Sequence, residues 1–182
     1  MNLQNAATIL RQGGIIAYPT EAVFGLGCDP FNQSAVARIK QLKNRSPQKG
    51  LIVIGASWEQ LQPFTAPIPK ENLKRALATW PGPYTWIFPA ADGTPQSITG
   101  QQSTIALRVT AHPIAKAICE AFGKPVISTS ANLEGQPPAC TGDEVKRIFK
   151  NDIDLIISGA LGNQTKPTEI RDVLTGKILR DG

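Results

Sequence analysis

The chain has 182 residues, 41% of them hydrophobic and 18% charged, with a formal net charge of +5. That length suits one substantial core, and the balance excludes a disordered polyelectrolyte. No apolar run approaches the about 20 residues a bilayer-spanning helix needs, and the positive balance favours anionic partners such as nucleotides or RNA.

Leu3, Ala6, Ala7 and Leu10 recur at helical spacing, and Gly13-Gly14 ends that helix. Ile15-Ile16-Ala17 reads as a buried strand, followed by a turn through Pro19-Thr20-Glu21 and a glycine turn at Gly25-Leu26-Gly27. Residues 34–43 form a second helix, with Val36, Ile39 and Leu42 inward and Arg38, Lys40 and Lys43 outward. Residues 51–54 are a buried strand, and Ser57 with Gln60 makes a capping-box start for a short helix. Pro63, Pro67 and Pro69 mark a loop before a helix over 71–79, which Trp80-Pro81-Gly82-Pro83 breaks.

Residues 84–88 are aromatic and strand-like, and 90–103 are a polar loop. A strand over 104–109 precedes a helix running from His112-Pro113 to Gly123. Residues 125–128 are a strand and 129–140 a polar, proline-rich loop. Thr141 with Glu144 caps a helix reaching about residue 150, and 153–157 is a strand. The tail from Glu169 turns at Thr175-Gly176 and returns through 177–180 as a hairpin. The alternation predicts an α/β (α+β) domain over 1–182, an open twisted mixed sheet with flanking helices.

Three stretches carry chemistry. Polar groups after a buried strand, followed by glycines, are how α/β proteins build ligand sites, which points to 15–29. The Gly-x-Gly there lacks a third glycine and is no dinucleotide fingerprint. Lys43-Asn-Arg45-Ser-Pro-Gln-Lys49-Gly50 places three cations between a helix and a strand. The helix dipole accounts for Lys43 and Arg45; phosphate binding would use all three. Ser128-Thr-Ser130-Ala-Asn132 leaves a strand with three hydroxyls and an amide, either a self-satisfied turn or a ligand-binding strand end.

Arg108 interrupts an apolar strand and needs either an acid such as Glu21 or an anionic ligand. His112 reads as a helix-start residue. Cys28, Cys119 and Cys140 form no zinc-ligand spacing with it, and free thiols in a reducing compartment follow. The opening MNLQNAATIL does not read as a secretory signal, so the expected location is cytoplasmic, with no membrane partner. No Ser/His/Asp set, P-loop or two-metal carboxylate cluster is visible in the sequence.

Taken in order, Tyr18-Pro-Thr-Glu with Phe24-Gly-Leu-Gly27, Lys43-x-Arg45 with Lys49-Gly50-Leu51, Leu107-Arg108-Val109, Ser128 to Asn132, and Pro167-Thr168-Glu-Ile170 leading to Ile178-Leu-Arg180-Asp-Gly resemble the YrdC-like family of threonylcarbamoyl-AMP synthases. The resemblance implies an enzyme joining L-threonine, bicarbonate and ATP into threonylcarbamoyl-adenylate, with pyrophosphate released. It implies a product that serves threonylcarbamoyl modification of adenosine 37 in tRNAs reading codons that begin with A. By the same resemblance Thr20, Arg108 and Ser128 hold threonine, with Arg108 on its carboxylate. Lys43 and Arg45 are the catalytic cations; Lys49, Ser130, Asn132, Thr168 and Arg180 complete the ATP side. Mg2+ arrives with ATP, and the partners implied are tRNA or double-stranded RNA on a basic concave face and downstream threonylcarbamoyl-transfer proteins. Ala22, Phe24, Ser46 and Thr110 depart from the Thr, Tyr, Pro and Pro common in the family. The pattern is similar to the short bacterial branch without an extra C-terminal domain. A non-enzymatic RNA-binding module on the basic face is the alternative reading.

Overall fold

The computed structural model describes residues 3–182; positions 1 and 2, which belong to the N-terminal reading and to the 1–182 span, lie outside them. Helix α1 (Leu3–Arg11) buries Ala6, Ala7 and Leu10 on one stripe, and Gly13 at φ 79° supplies the left-handed turn that leaves it. Strands β1 (Ile16–Pro19) and β2 (Phe24–Gly27) pair antiparallel, with Ile16 opposite Gly27. The 25–27 segment is thus a strand rather than the expected glycine turn. Its glycines serve close approach: a Cβ on Gly27 would stand 2.8 Å from both Ile127 O and the Tyr18 ring.

Helix α2 (Gln33–Leu42) starts at Asn32, whose Oδ1 accepts from Ala35 N at 3.0 Å. Lys40 and Lys43, expected outward, are buried. Lys40 reaches back to Pro47 O at 2.8 Å, so the chain beyond the helix folds over both stems. After β3 (Ile52–Gly55) comes α3 (Trp58–Leu61), where Ser57 makes no side-chain cap. Gln60 reaches one residue past the expected cap, accepting from Ala56 N at 2.9 Å, and donates to Cys119 O at 3.2 Å.

Helix α4 (Lys70–Leu77) and strand β4 (Tyr84–Pro89) follow, then α5 (Gln96–Thr99) inside the segment read as loop. One turn with a single buried apolar residue, Ile98, is too short to print a period. Strand β5 (Thr104–Val109) and α6 (Pro113–Phe122), which ends at left-handed Gly123, stand as expected. Strand β6 (Val126–Ser130) runs two residues further than expected because Ser130 and Thr129 pair with Gly25 and Leu26. Helix α7 (Gly142–Phe149) has the expected cap, Thr141 Oγ1 accepting from Glu144 N at 3.1 Å and Glu144 accepting from Cys140 N at 2.6 Å. Strand β7 (Leu155–Ile156) is shorter than expected, and β8 (Glu169–Asp172) with β9 (Ile178–Arg180) forms the hairpin.

Among the described residues the strands form one mixed sheet, in the order β7-β1-β2-β6-β3-β5-β4-β8-β9. Alternate residues feed two cores, as the period of a strand requires. Ile16, Tyr18, Ile54 and Val126 pack under α1 and α6. Ala17, Leu26, Val53 and Ile127 pack under α2 and α7 on the opposite face. The sheet is therefore sandwiched between helices, the expected architecture, and polar strand ends are left to meet at its rim.

Candidate active site

Thr20 and Glu21 leave β1, Ser128 to Ser130 close β6, and Arg108 lies in β5, which is joined to β6 through β3. These ends enclose a cavity of about 280 Å³, near the lower end for small-molecule sites. Thr20, Arg45, Arg108, Ser128, Ser130, Thr168 and Arg180 line it, so seven of the ten residues expected from sequence meet in one place. Gly25 makes the room: a Cβ there would stand 3.1 Å from Thr20 Cγ2 and 3.4 Å from Ser128 Oγ. Three guanidiniums and no carboxylate face the cavity among the described residues, which makes it an anion receptor.

Of the two readings of Arg108, the structure supplies the acid, Glu21. Arg108 Nη2 stands 3.3 Å from Glu21 Oε2, with both side chains buried. Yet Arg108 Nε has no hydrogen-bond partner, and neither has Glu21 Oε2. An unpaired buried donor on a cation is costly, and the side chain that carries it also lines the cavity. Burial raises the Glu21 pKa, but Arg108 and then Thr110 outweigh it and hold the carboxyl below its ordinary value. Arg180 donates to Thr168 O at 2.6 Å, and Thr168 shares a hydroxyl contact of 3.1 Å with Thr85. Partial burial and then the positive charge of Arg108 lower the Arg180 pKa, as expected of two cations facing one cavity.

Lys43, Lys49 and Asn132 do not line the cavity. Where the resemblance puts Lys43 on phosphate, the structure gives its ammonium three protein acceptors: Ser130 O, Asn132 O at 2.7 Å and Asn132 Oδ1 at 3.1 Å. Lys43 O in turn accepts from Glu134 N at 2.9 Å. The two sequence motifs, 87 residues apart, are clasped together by one side chain. Burial first, and then Arg45, push the Lys43 ammonium down to about 8, against the pull of Glu134. Asn132 donates to Leu133 O and Gln136 O, shaping the loop that follows. Lys49 forms an exposed ion pair with Glu134. Arg45 donates to Gly50 O at 2.7 Å, and its Nε is buried without a partner.

Sequence reasoning missed Thr110 and Glu134, which hold Glu21 and Lys49. A larger cavity of about 510 Å³ lies on the other side of Arg45, against α2 and α5, but Ser97 is its single hydroxyl and the strand-end motifs do not reach it. Among the described residues, no three His, Cys, Asp or Glu side chains converge as a metal site, and no helix is long and apolar enough to cross a membrane. Cys28, Cys119 and Cys140 are free thiols, as expected.

The Sua5/yciO/yrdC family model, described as "Telomere recombination", matches residues 8–182. The chain belongs to the Sua5/YciO/YrdC family. A threonylcarbamoyl-AMP synthase of Coxiella burnetii (strain RSA 493 / Nine Mile phase I) is 54% identical over 179 residues, covering 98% of this chain and 96% of the relative. One of Vibrio campbellii (strain ATCC BAA-1116) is 48% identical over 183 residues, covering 100% of this chain and 99% of the relative. Among solved structures, P. abyssi Sua5 complexed with L-threonine superposes with a TM-score of 0.91 at 34% identity, covering 98% of this chain and 53% of that one. The chain therefore spans about half the length of that family member. E. coli YciO superposes with a TM-score of 0.79 at 29% identity, over 98% of this chain and 90% of that one. The sheet with helices on both faces is thus the family architecture.

Proposed function

We propose that this family member is an L-threonylcarbamoyladenylate synthase, joining L-threonine, bicarbonate and ATP and releasing pyrophosphate. The observation that carries the reading is the cavity itself: three guanidiniums and five hydroxyl side chains around one space. Such a receptor takes an amino-acid carboxylate and a phosphate chain side by side. The relatives named threonylcarbamoyl-AMP synthase and the Sua5 structure complexed with L-threonine support that pairing.

In this reading Arg108 takes the threonine carboxylate, while Thr20 and Ser128, which Gly25 allows to approach, take its remaining polar groups. The neutral amine nitrogen adds to the carbon of CO2 with release of a proton, or to that of bicarbonate with loss of water, to give a carbamate. A carbamate oxygen then attacks the α-phosphorus of ATP, and the bond to the bridging oxygen of the β-phosphate breaks to release pyrophosphate. Arg45, Ser130, Thr168 and Arg180 stand on the phosphate side. Preset cations that need no reorganisation lower the cost of the charge that develops on the leaving group. Lys43 serves through the Ser130–Asn132 strand end that it holds. Mg2+ would arrive bound to the ATP phosphates and would neutralise part of their charge.

The product then supplies t6A formation at adenosine 37 of tRNAs reading codons that begin with A, in the cytoplasm, through separate transfer proteins. The net charge of +5 favours tRNA or double-stranded RNA as a further contact. The test is pyrophosphate release from ATP with L-threonine and bicarbonate omitted in turn. Release that needs both supports the synthase; equal release without either leaves a nonspecific ATPase or a binding module.

A further inference from the structure

We propose that Thr110 and Glu21 are positioning residues for Arg108: Thr110 fixes the Glu21 carboxylate, and Glu21 holds Arg108 through Nη2, so that the guanidinium lining the cavity meets the amino-acid carboxylate in one fixed orientation. This deepens the reading above and rests on Arg108 as the carboxylate receptor. Thr110 is fully buried one residue beyond β5, and its N–H is spent on Gly55 O at 3.1 Å. Its hydroxyl is oriented from both sides. Oγ1 accepts from His112 N at 3.2 Å, so its single hydrogen is directed to Glu21 Oε1 at 2.8 Å. Glu21 is therefore gripped by one oxygen and presents the other to Arg108 at 3.3 Å.

That second contact is an ion pair without a hydrogen bond, since Glu21 Oε2 has no hydrogen-bond partner. A purely structural pair at this burial would be expected to saturate both groups, because desolvation otherwise exceeds the attraction. This pair instead keeps in place a guanidinium that lines the cavity, and leaves its buried Nε–H without a protein acceptor. The backbone at Glu21 is fixed as well: Gly162 N donates to Thr20 O and Gln164 N to Glu21 O, both at 3.0 Å. His112 completes the support, its Nε2 lying 3.2 Å from Ala160 O in the same strap, residues 160–164. Arg108 is thus aimed by a chain of contacts running from the strap through Thr110 and Glu21.

The test uses Thr110→Val, which keeps the shape and removes the hydroxyl, Thr110→Ser, which restores it, and Glu21→Gln. Steady-state pyrophosphate release gives kcat and separate KM values for L-threonine and ATP; the Arg108 Nε–H resonance is followed by NMR without substrate. Thr110→Val should raise the threonine KM by roughly threefold to tenfold, the range for weakening a hydrogen bond to a charged group indirectly, with the ATP KM within about twofold. Thr110→Ser should return it toward wild type, and the Thr110→Val, Glu21→Gln double variant should be no worse than Glu21→Gln alone. The Nε–H resonance should shift in Thr110→Val and Glu21→Gln. A lowered melting temperature with unchanged KM values, a serine variant that fails to rescue, or an Nε–H resonance that does not move would overturn the proposal. Wild-type protein that ignores threonine would sink the synthase reading, and the substrate-free resonance would still decide whether Glu21 and Thr110 position Arg108.

Discussion

Lys43→Met removes the ammonium that ties α2 to the end of β6 while keeping most of the apolar stem. Two effects oppose each other. Ser130 O, Asn132 O and Asn132 Oδ1 lose a charged donor, and such bonds contribute about 1.5–3 kcal/mol each. Because one ammonium serves all three, the lower bound, about 4–5 kcal/mol together, is the better guide. Against it stands the burial that pushes the pKa from 10.5 to about 8, a penalty of about 3 kcal/mol that methionine does not carry. The net expectation is a destabilisation of about 1–2 kcal/mol, or roughly 2–8 °C in Tm for a chain of this size. Synthesis should fall at least about tenfold, the scale of about 1.4 kcal/mol in transition-state stabilisation, because the Ser130 end of the cavity loosens.

The assay pairs pyrophosphate kinetics and a melting curve with amide hydrogen exchange at Asn132 and Glu134, whose N–H groups donate to Ser130 O and Lys43 O. Exchange there should quicken in the variant. If ATP affinity drops tenfold while exchange and Tm stay at wild-type values, Lys43 acts on phosphate directly and the clasp account is wrong. The same ammonium sets a pH signature. Its folded pKa lies below its unfolded one, so between about 8 and 10.5 the native state binds fewer protons, and this group's contribution to stability rises with pH, by at most about 3 kcal/mol. Activity should move the other way, declining as pH passes about 8 and the clasp loses a donor; the Lys43→Met variant should lack that limb.

Arg108→Ala strands the buried Glu21 and should cost about 3–5 kcal/mol in stability, with the threonine KM up roughly 10–150-fold and the ATP KM held; melting curves and kinetics check both halves. Gly27→Ala forces a Cβ against Ile127 O and the Tyr18 ring and should destabilise by about 1–3 kcal/mol in chemical denaturation, with KM values kept in the folded fraction. Lys49→Ala removes an exposed pair with Glu134 and should change stability by less than about 1 kcal/mol and the pyrophosphate rate by less than about threefold; a tenfold loss would place Lys49 on the phosphates.

What could be read from sequence was local. Apolar runs at 15–17 and 51–54, the Thr141–Glu144 cap and the Gly123 stop each fix their own element through backbone hydrogen bonding, and the structure keeps them. Most of the cavity was legible too, because polar residues at strand ends gather wherever the strands are neighbours. The failures are tertiary. Lys40 and Lys43 follow the polar face of α2 by helical count, yet the 43–50 and 130–134 segments close over their stems. Gly25 and Gly27 look like a turn until Tyr18, Thr20 and Ser128 are placed against them. Thr110 was visible as an unusual residue after Arg108-Val109, but its role depends on Glu21 arriving from another strand end.

Mass spectrometry of the adenylate formed from ATP, L-threonine and 13C-bicarbonate decides whether this chain is a synthase. A synthase gives one product holding AMP, threonine and a single labelled carbon, formed in step with pyrophosphate. An adenylate of threonine without the labelled carbon, or AMP and pyrophosphate alone, would contradict it.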